Sequence, residues 1–317
     1  MHRLRNMALA LALMALVTGC TAKSEKPGEA NKPAMPSKIQ KYEDGVPVLT
    51  VYNVDNKATE EMPLEAYILG VVAGEMHSDW PLEALKAQAI LARTFVLRFM
   101  TEKESKYEGA DISTDIEEAQ AYSADINDAV RKAVEETRGM VLSSESTFIY
   151  SWFHAHSGGK TELAKEGLNW KDPEPPYTKV GDGHEDDSAP KDAAEWTASF
   201  TKEQVLEAAK TAGLTVDTLE SVEIGKKGES GRAVTLTLNG KEVNAPDFRV
   251  ALGSTEMRST LLTELKLEGD TVTMAGKGYG HGVGMSQWGA YALAEQGKKA
   301  EDIVTEYYQN VSVVTMY

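Results

Sequence analysis

"PLEAYILGVVAGEMHSDWPLEALKAQAILARTFVLRFMTEK", residues 63–103, sets the fold class. Each half opens with a proline, Pro63 and Pro81, at a point where a starting helix can do without an N–H. Residues 63–75 are apolar on several sides, which predicts a largely buried helix. Residues 81–103 place Leu82, Leu85, Ala89, Ala92, Phe95, Val96 and Phe99 at helical spacing, a longer helix with a core face. On the N-terminal side, "VPVLTVYNV" (46–54) alternates like a strand. On the C-terminal side, residues 126–139 predict a helix closed by Gly139, and residues 140–159 two strands about a polar turn. Further on come an N-capped helix over 201–213 and a hairpin over 232–243 that turns at Asn239-Gly240. A short helix near "APDFRVALG", a strand near 271–275 and helices over 285–296 and "AEDIVTEYYQN" complete the pattern. The expected class is α+β: mixed helices and short antiparallel strands around a cleft, in one domain from 46 to 317. The polar, acidic stretch 171–198 reads as a surface excursion.

The ends and the composition limit what this domain can do. The formal net charge is −16, and no basic face stands out, which argues against a nucleic-acid binder. Cys20 is the sole cysteine, so no disulfide framework or cysteine-rich zinc site is available within the chain. Residues 1–20 combine Arg3 and Arg5, the apolar run "MALALALMALV" and "VTGC". Small residues before a cysteine resemble a bacterial lipoprotein signal, on which Cys20 becomes the lipidated first residue; a plain secretion signal or an uncleaved anchor would also export the chain. Residues 21–45 are rich in Lys, Glu, Pro, Ser and Ala and read as a flexible tether.

Three stretches could carry chemistry. In "GVVAGEMHSDW" (70–80), Glu75 follows an apolar run and stands close to Trp80; a carboxyl against apolar walls has a raised pKa and can act as a general acid. The same spacing suits a solvated carboxylate in a helix–helix turn. Lys86 and Arg93, two turns apart, mark a polar stripe that could line a cleft or simply face water. In "FHAHSGGKTE" (153–162), His154 and His156 share one strand face, but no third ligand has a metal-like spacing, so no metal is expected. "GKGYGHGVGMSQWGA" (276–290) alternates glycine with Lys277, Tyr279 and His281. A dinucleotide loop would sit early in a βαβ unit, so the nucleotide option is rejected, and no cofactor is expected. The stretch reads as a glycine-lined wall that offers Tyr, His, Gln and Trp, a surface suited to carbohydrate.

Taken in order, "LGVVAGEM…WPLEALKAQAILARTF", "HSGGKTE" and "GKGYGHGVGMSQWGAYALAEQG" resemble the stage II sporulation protein D family, from about residue 46 onward. The resemblance implies a peptidoglycan lytic transglycosylase that cuts peptide-stripped glycan strands during engulfment. It also implies partners in a wall amidase and other sporulation membrane proteins; a second branch of the family is described as enhancing an amidase. It makes Glu75, the acid of the family's "GE-M" motif, the catalytic residue. The residues it offers to the sugar are Lys86, Arg93, Tyr122, His156, Ser157, Lys160, Tyr279, His281 and Gln287. Some members hold zinc through a cysteine near "SGG"; this chain has His154, Ala155, His156 and Ser157 there instead.

Overall fold

A computed structural model describes residues 32–317; the expected signal segment, Cys20 and the first part of the expected tether lie outside the described residues. The α+β expectation is borne out. The strand Val46–Asn53 pairs antiparallel with Ala58–Pro63 and parallel with Ile112–Ser113. Pro63 ends that second strand and opens helix α1 (Leu64–Glu75). Pro81 in turn precedes helix α2 (Leu82–Glu102). Helix α3 (Asp128–Glu136) starts on the Asn127 side chain, which accepts from Val130 N–H. α2 is the central element: α1, α3, the strand Met140–Ser144 and the helices Gln287–Glu295 and Ala300–Tyr307 all pack on it. So its apolar residues are buried nearly all round, from Ala84 and Leu85 to Phe99 and Met100. Each large apolar side chain buried this way contributes roughly 1.5–3 kcal/mol.

A second hydrophobic core, separate from the first, is built by residues 196–274. Here the strands run Leu262–Glu268, Thr271–Lys277, Glu195–Thr201, all antiparallel, beside a smaller sheet of Val222–Ile224, Thr235–Leu238 and Lys241–Asn244. The Asn239-Gly240 turn has both residues at positive φ, as a two-residue hairpin requires. Thr201 and Gln204 form a reciprocal capping box on the helix Lys202–Thr211.

Three expectations are corrected. Residues 32–45 do not hang free as tether: Pro33, Pro36 and Ile39 are buried, and Tyr42–Glu43 pairs with Val46–Pro47, because these few apolar residues find the main core. The region 46–317 holds two cores rather than one. The stretch 171–198 is not all surface: Tyr177 packs in the main core, and Glu195–Thr201 is a strand with Trp196 and Phe200 buried.

Candidate active site

Glu75 is the last residue of α1 and is half-buried. The helix stops there because Met76 turns to extended backbone, its N–H still bonded to Val72 O at 3.1 Å. The carboxylate accepts one hydrogen bond, from Ala121 N–H at 2.7 Å. Burial pushes its pKa up to about 7, against the opposing pull of that N–H. Its place at a helix C-terminus, where unpaired carbonyls gather, also disfavours a negative charge. Two glycines make the contact with Ala121 possible. A Cβ on Gly74 would lie 2.6 Å from the Ala121 carbonyl carbon, and one on Gly70 would lie 2.2 Å from the Tyr122 ring. The Tyr122 ring therefore packs against α1 at Gly70, five residues before Glu75.

The opposite side is supplied by the C-terminal part of the chain. Ser286 caps the helix Gln287–Glu295, accepting from Gly289 N–H. Gln287 then donates its side-chain amide to the Glu75 backbone carbonyl at 3.0 Å, with Gln88 Oε1 at 3.5 Å. Trp288 and Tyr291, one turn apart, pack tilted and edge-on against Trp80 at ring distances of 4.5 and 5.3 Å, and His77 lies 5.5 Å from Trp80. These aromatic rings, beginning two residues from Glu75, were not among the expected site residues. The spacing of Trp288 and Tyr291 on one helix face was the available signal.

The "HSGG" turn joins the glycine-rich stretch through paired backbone bonds, His156 N–H to Tyr279 O and Tyr279 N–H to His156 O. A Cβ on Gly278 would lie 2.6 Å from His156 O, so this approach needs the glycine and its positive φ. Trp288 N–H donates to Ala155 O, which brings the turn beside the Gln287 helix. The side chains expected to meet sugar divide here. Lys160 is exposed, and Tyr279 is half-buried under the Arg258 guanidinium, 5.1 Å from its ring centre. His156 and Ser157 are buried, and His156 is held neutral by burial, with Arg232 assisting against Glu185. His281 is pushed down to about 3 by burial and by the Arg249 and Arg232 charges, so it is a neutral imidazole whose Nδ1 accepts from Val283 N–H. Among the described residues no three His, Cys, Asp or Glu side chains gather as a metal set.

Lys86 and Arg93 are not free to line a cleft. Lys86 ion-pairs with Glu83 at 2.9 Å and Glu136 at 2.5 Å, tying α2 to α3. Arg93 is fully buried. It grips Glu65 with two nitrogens at 2.7 and 3.0 Å and donates to Met140 O, while Tyr317 donates to the same carboxylate. The expected polar stripe is an internal brace, since each cation found a carboxylate on another helix.

Residues 52–143, which include Glu75, match the family model for a stage II sporulation protein, and 158–284 match a domain of unknown function. The chain is 36% identical to stage II sporulation protein D of Bacillus amyloliquefaciens, covering 83% of this chain and 77% of that one. It is 33% identical to the Bacillus subtilis protein of the same name, covering 93% and 87%. The chain belongs to the stage II sporulation protein D family. A more distant relative of this family member is the amidase enhancer of Bacillus subtilis, 27% identical over 78% of this chain and 40% of that one.

Proposed function

We propose that this family member is a peptidoglycan lytic transglycosylase with Glu75 as its acid and base. The observation that carries the proposal is a half-buried carboxyl at the end of α1, its pKa pushed up to about 7 by burial, on a residue whose backbone carbonyl is held by the Gln287 amide. A hydrolytic glycosidase ordinarily needs two carboxylates. A transglycosylase needs one. Glu75 gives its proton to the glycosidic oxygen, so the leaving sugar departs as an alcohol. The resulting carboxylate then takes the proton from the muramic acid C6 hydroxyl, whose oxygen bonds to C1. The product ends in a 1,6-anhydro ring, and Glu75 is again protonated. Glu118, the other acid that acts on the nearby Tyr67, is already bonded to Ser105, Ser113 and Lys106 N–H and is not offered as a second carboxylate. Peptide-stripped glycan from sporulation-linked wall remodelling is the substrate class. Cys20 carries a lipid that anchors the chain on the outer face of the cytoplasmic membrane, beside a wall amidase and other sporulation membrane proteins.

The test is mass spectrometry of products from peptide-free glycan, wild type beside Glu75→Gln. Wild type yields anhydro-ended fragments and the variant loses turnover by about 10²–10⁴-fold with its fold intact. Anhydro ends released equally by both would refute the mechanism. The likeness to a protein named amidase enhancer favours a second reading, a wall-binding activator. On that reading Glu75→Gln leaves amidase stimulation unchanged, and neither protein cuts glycan alone.

A further inference from the structure

The acidic excursion sends one short strap, residues 181–185, across the molecule with Gly183 buried at its centre. Thr161 N–H donates to Gly181 O at 3.0 Å, Gly183 N–H to Gly159 O at 3.1 Å, and Tyr307 OH to Gly183 O at 3.0 Å. At Gly183 the strap leaves no room for a side chain. A Cβ on Gly183 would lie 1.9 Å from Ser157 Oγ, and one on Gly289 would lie 1.9 Å from Gly183 O. It therefore threads between the "HSGG" turn and the helix Gln287–Glu295.

The strap delivers Glu185, whose side chain is only 5% exposed. One carboxylate oxygen accepts from Ser157 N–H at 2.5 Å and from the Ser286 hydroxyl at 2.5 Å; the other accepts from the Ser157 hydroxyl at 2.9 Å. The His156 Nδ1 is 3.7 Å away but already accepts from Gly158 N–H. Among the described residues no lysine or arginine forms an ion pair with it. A buried carboxylate held by three neutral donors is expensive to desolvate and demands that those donors stay in place. The Ser286 hydroxyl gives its proton to Glu185 and its lone pair to the Gly289 N–H, and so fixes the first turn of its helix. The next side chain, Gln287, holds the Glu75 carbonyl.

We propose that Glu185 is a positioning residue for Glu75, acting through Ser286 and Gln287 to set the last turn of α1 against the "HSGG" turn. The functional meaning of this rests on the transglycosylase reading, but the geometry and its first test do not. Amide hydrogen exchange is measured on the full chain as wild type, Glu185→Gln and Gln287→Ala, with urea midpoints alongside. Glu185 makes none of its side-chain bonds to α1. Even so, Glu185→Gln should speed exchange over residues 70–78 by about tenfold, the scale of one lost charge-assisted bond, as well as over 153–159 and 285–291. Gln287→Ala should loosen 70–78 and leave 153–159 as in wild type. A folded Glu185→Gln protein with unchanged exchange over 70–78 overturns the proposal. If that variant does not fold, Ser286→Ala removes one of the three bonds and must produce the same loosening, or the proposal falls. On peptide-free glycan, Glu185→Gln should lower kcat by at least about tenfold while KM changes less than about threefold. Should wild type itself fail to cut glycan, the transglycosylase reading is lost, and the exchange result stands independently.

Discussion

Glu75→Gln should flatten part of this protein's stability profile with pH. Glutamine matches the shape of glutamate, and its Oε1 can still accept from Ala121 N–H, so the contact at 2.7 Å survives. What changes is the proton. The folded carboxyl titrates near 7, raised by burial, whereas in the unfolded chain it titrates near 4.3. Between those values the folded state holds a proton that the unfolded state has released, so stability falls as pH rises through the window and levels off above about 7. Integrated from pH 5 to pH 8, a shift of that size removes about 2.5 kcal/mol. Glu75 is only half-buried, so water screens part of this and about 1–2 kcal/mol is expected to remain. Urea unfolding of wild type and variant at pH 5 and pH 8 gives four free energies. Their difference of differences cancels the histidines and every other shared group. Glu75→Gln should be the relatively more stable protein at pH 8. If both proteins show the same pH dependence, the carboxyl is not held protonated by its surroundings, and the argument for a general acid near neutrality fails with it.

Five further outcomes follow. Glycan cleavage should decline above about pH 7, roughly tenfold per unit, as Glu75 loses the proton that it must donate; a rate that keeps rising to pH 9 would contradict this. Arg93→Ala strands Glu65 against Tyr317 and should cost about 3–5 kcal/mol in urea unfolding, and a loss under about 1 kcal/mol would mean the brace carries nothing. Gly289→Ala, whose Cβ would meet Gly183 O at 1.9 Å and the Tyr307 hydroxyl at 2.1 Å, should lower stability by more than about 3 kcal/mol. Gly213→Ala, with open space around it and strain only in its positive φ, should lose about 1 kcal/mol by the same measurement. Cys20→Ser should move the exported chain from the membrane fraction to the soluble one, and unchanged membrane retention would remove the lipid anchor from the proposal.

The legible parts of the fold were those in which a few neighbouring residues decide the outcome. Pro63 and Pro81 placed two helix starts, the N-cap at the head of 201–213 a third, and Asn239-Gly240 a hairpin. The second core was hidden because residues 171–194 contain no clean linker. The alternation of Trp196, Ala198 and Phe200 begins directly behind acidic residues that suggested surface. Lys86 and Arg93 were misplaced for a related reason. Their seven-residue spacing reports a shared helix face, yet whether that face is wet depends on Glu136 and Glu65, which come from other helices.

The candidate site shows the same division more sharply. Glu75 was singled out by the family's "GE-M" motif, and the apolar run before it made burial one of two readings open to it. The groups that act on it come from far along the chain. Ala121 is 46 residues away and Gln287 is 212. Glu185 lay inside a stretch whose composition argued for solvent, and only the glycines on either side of the crossing, Gly183 and Gly289, let it reach the interior. Glycines at a crossing look the same in sequence as glycines in a loop, until the partner backbone is known. The residues that hold Glu75 in place belong to the topology, and here they meet where Gln287, at the start of its helix, reaches the end of α1.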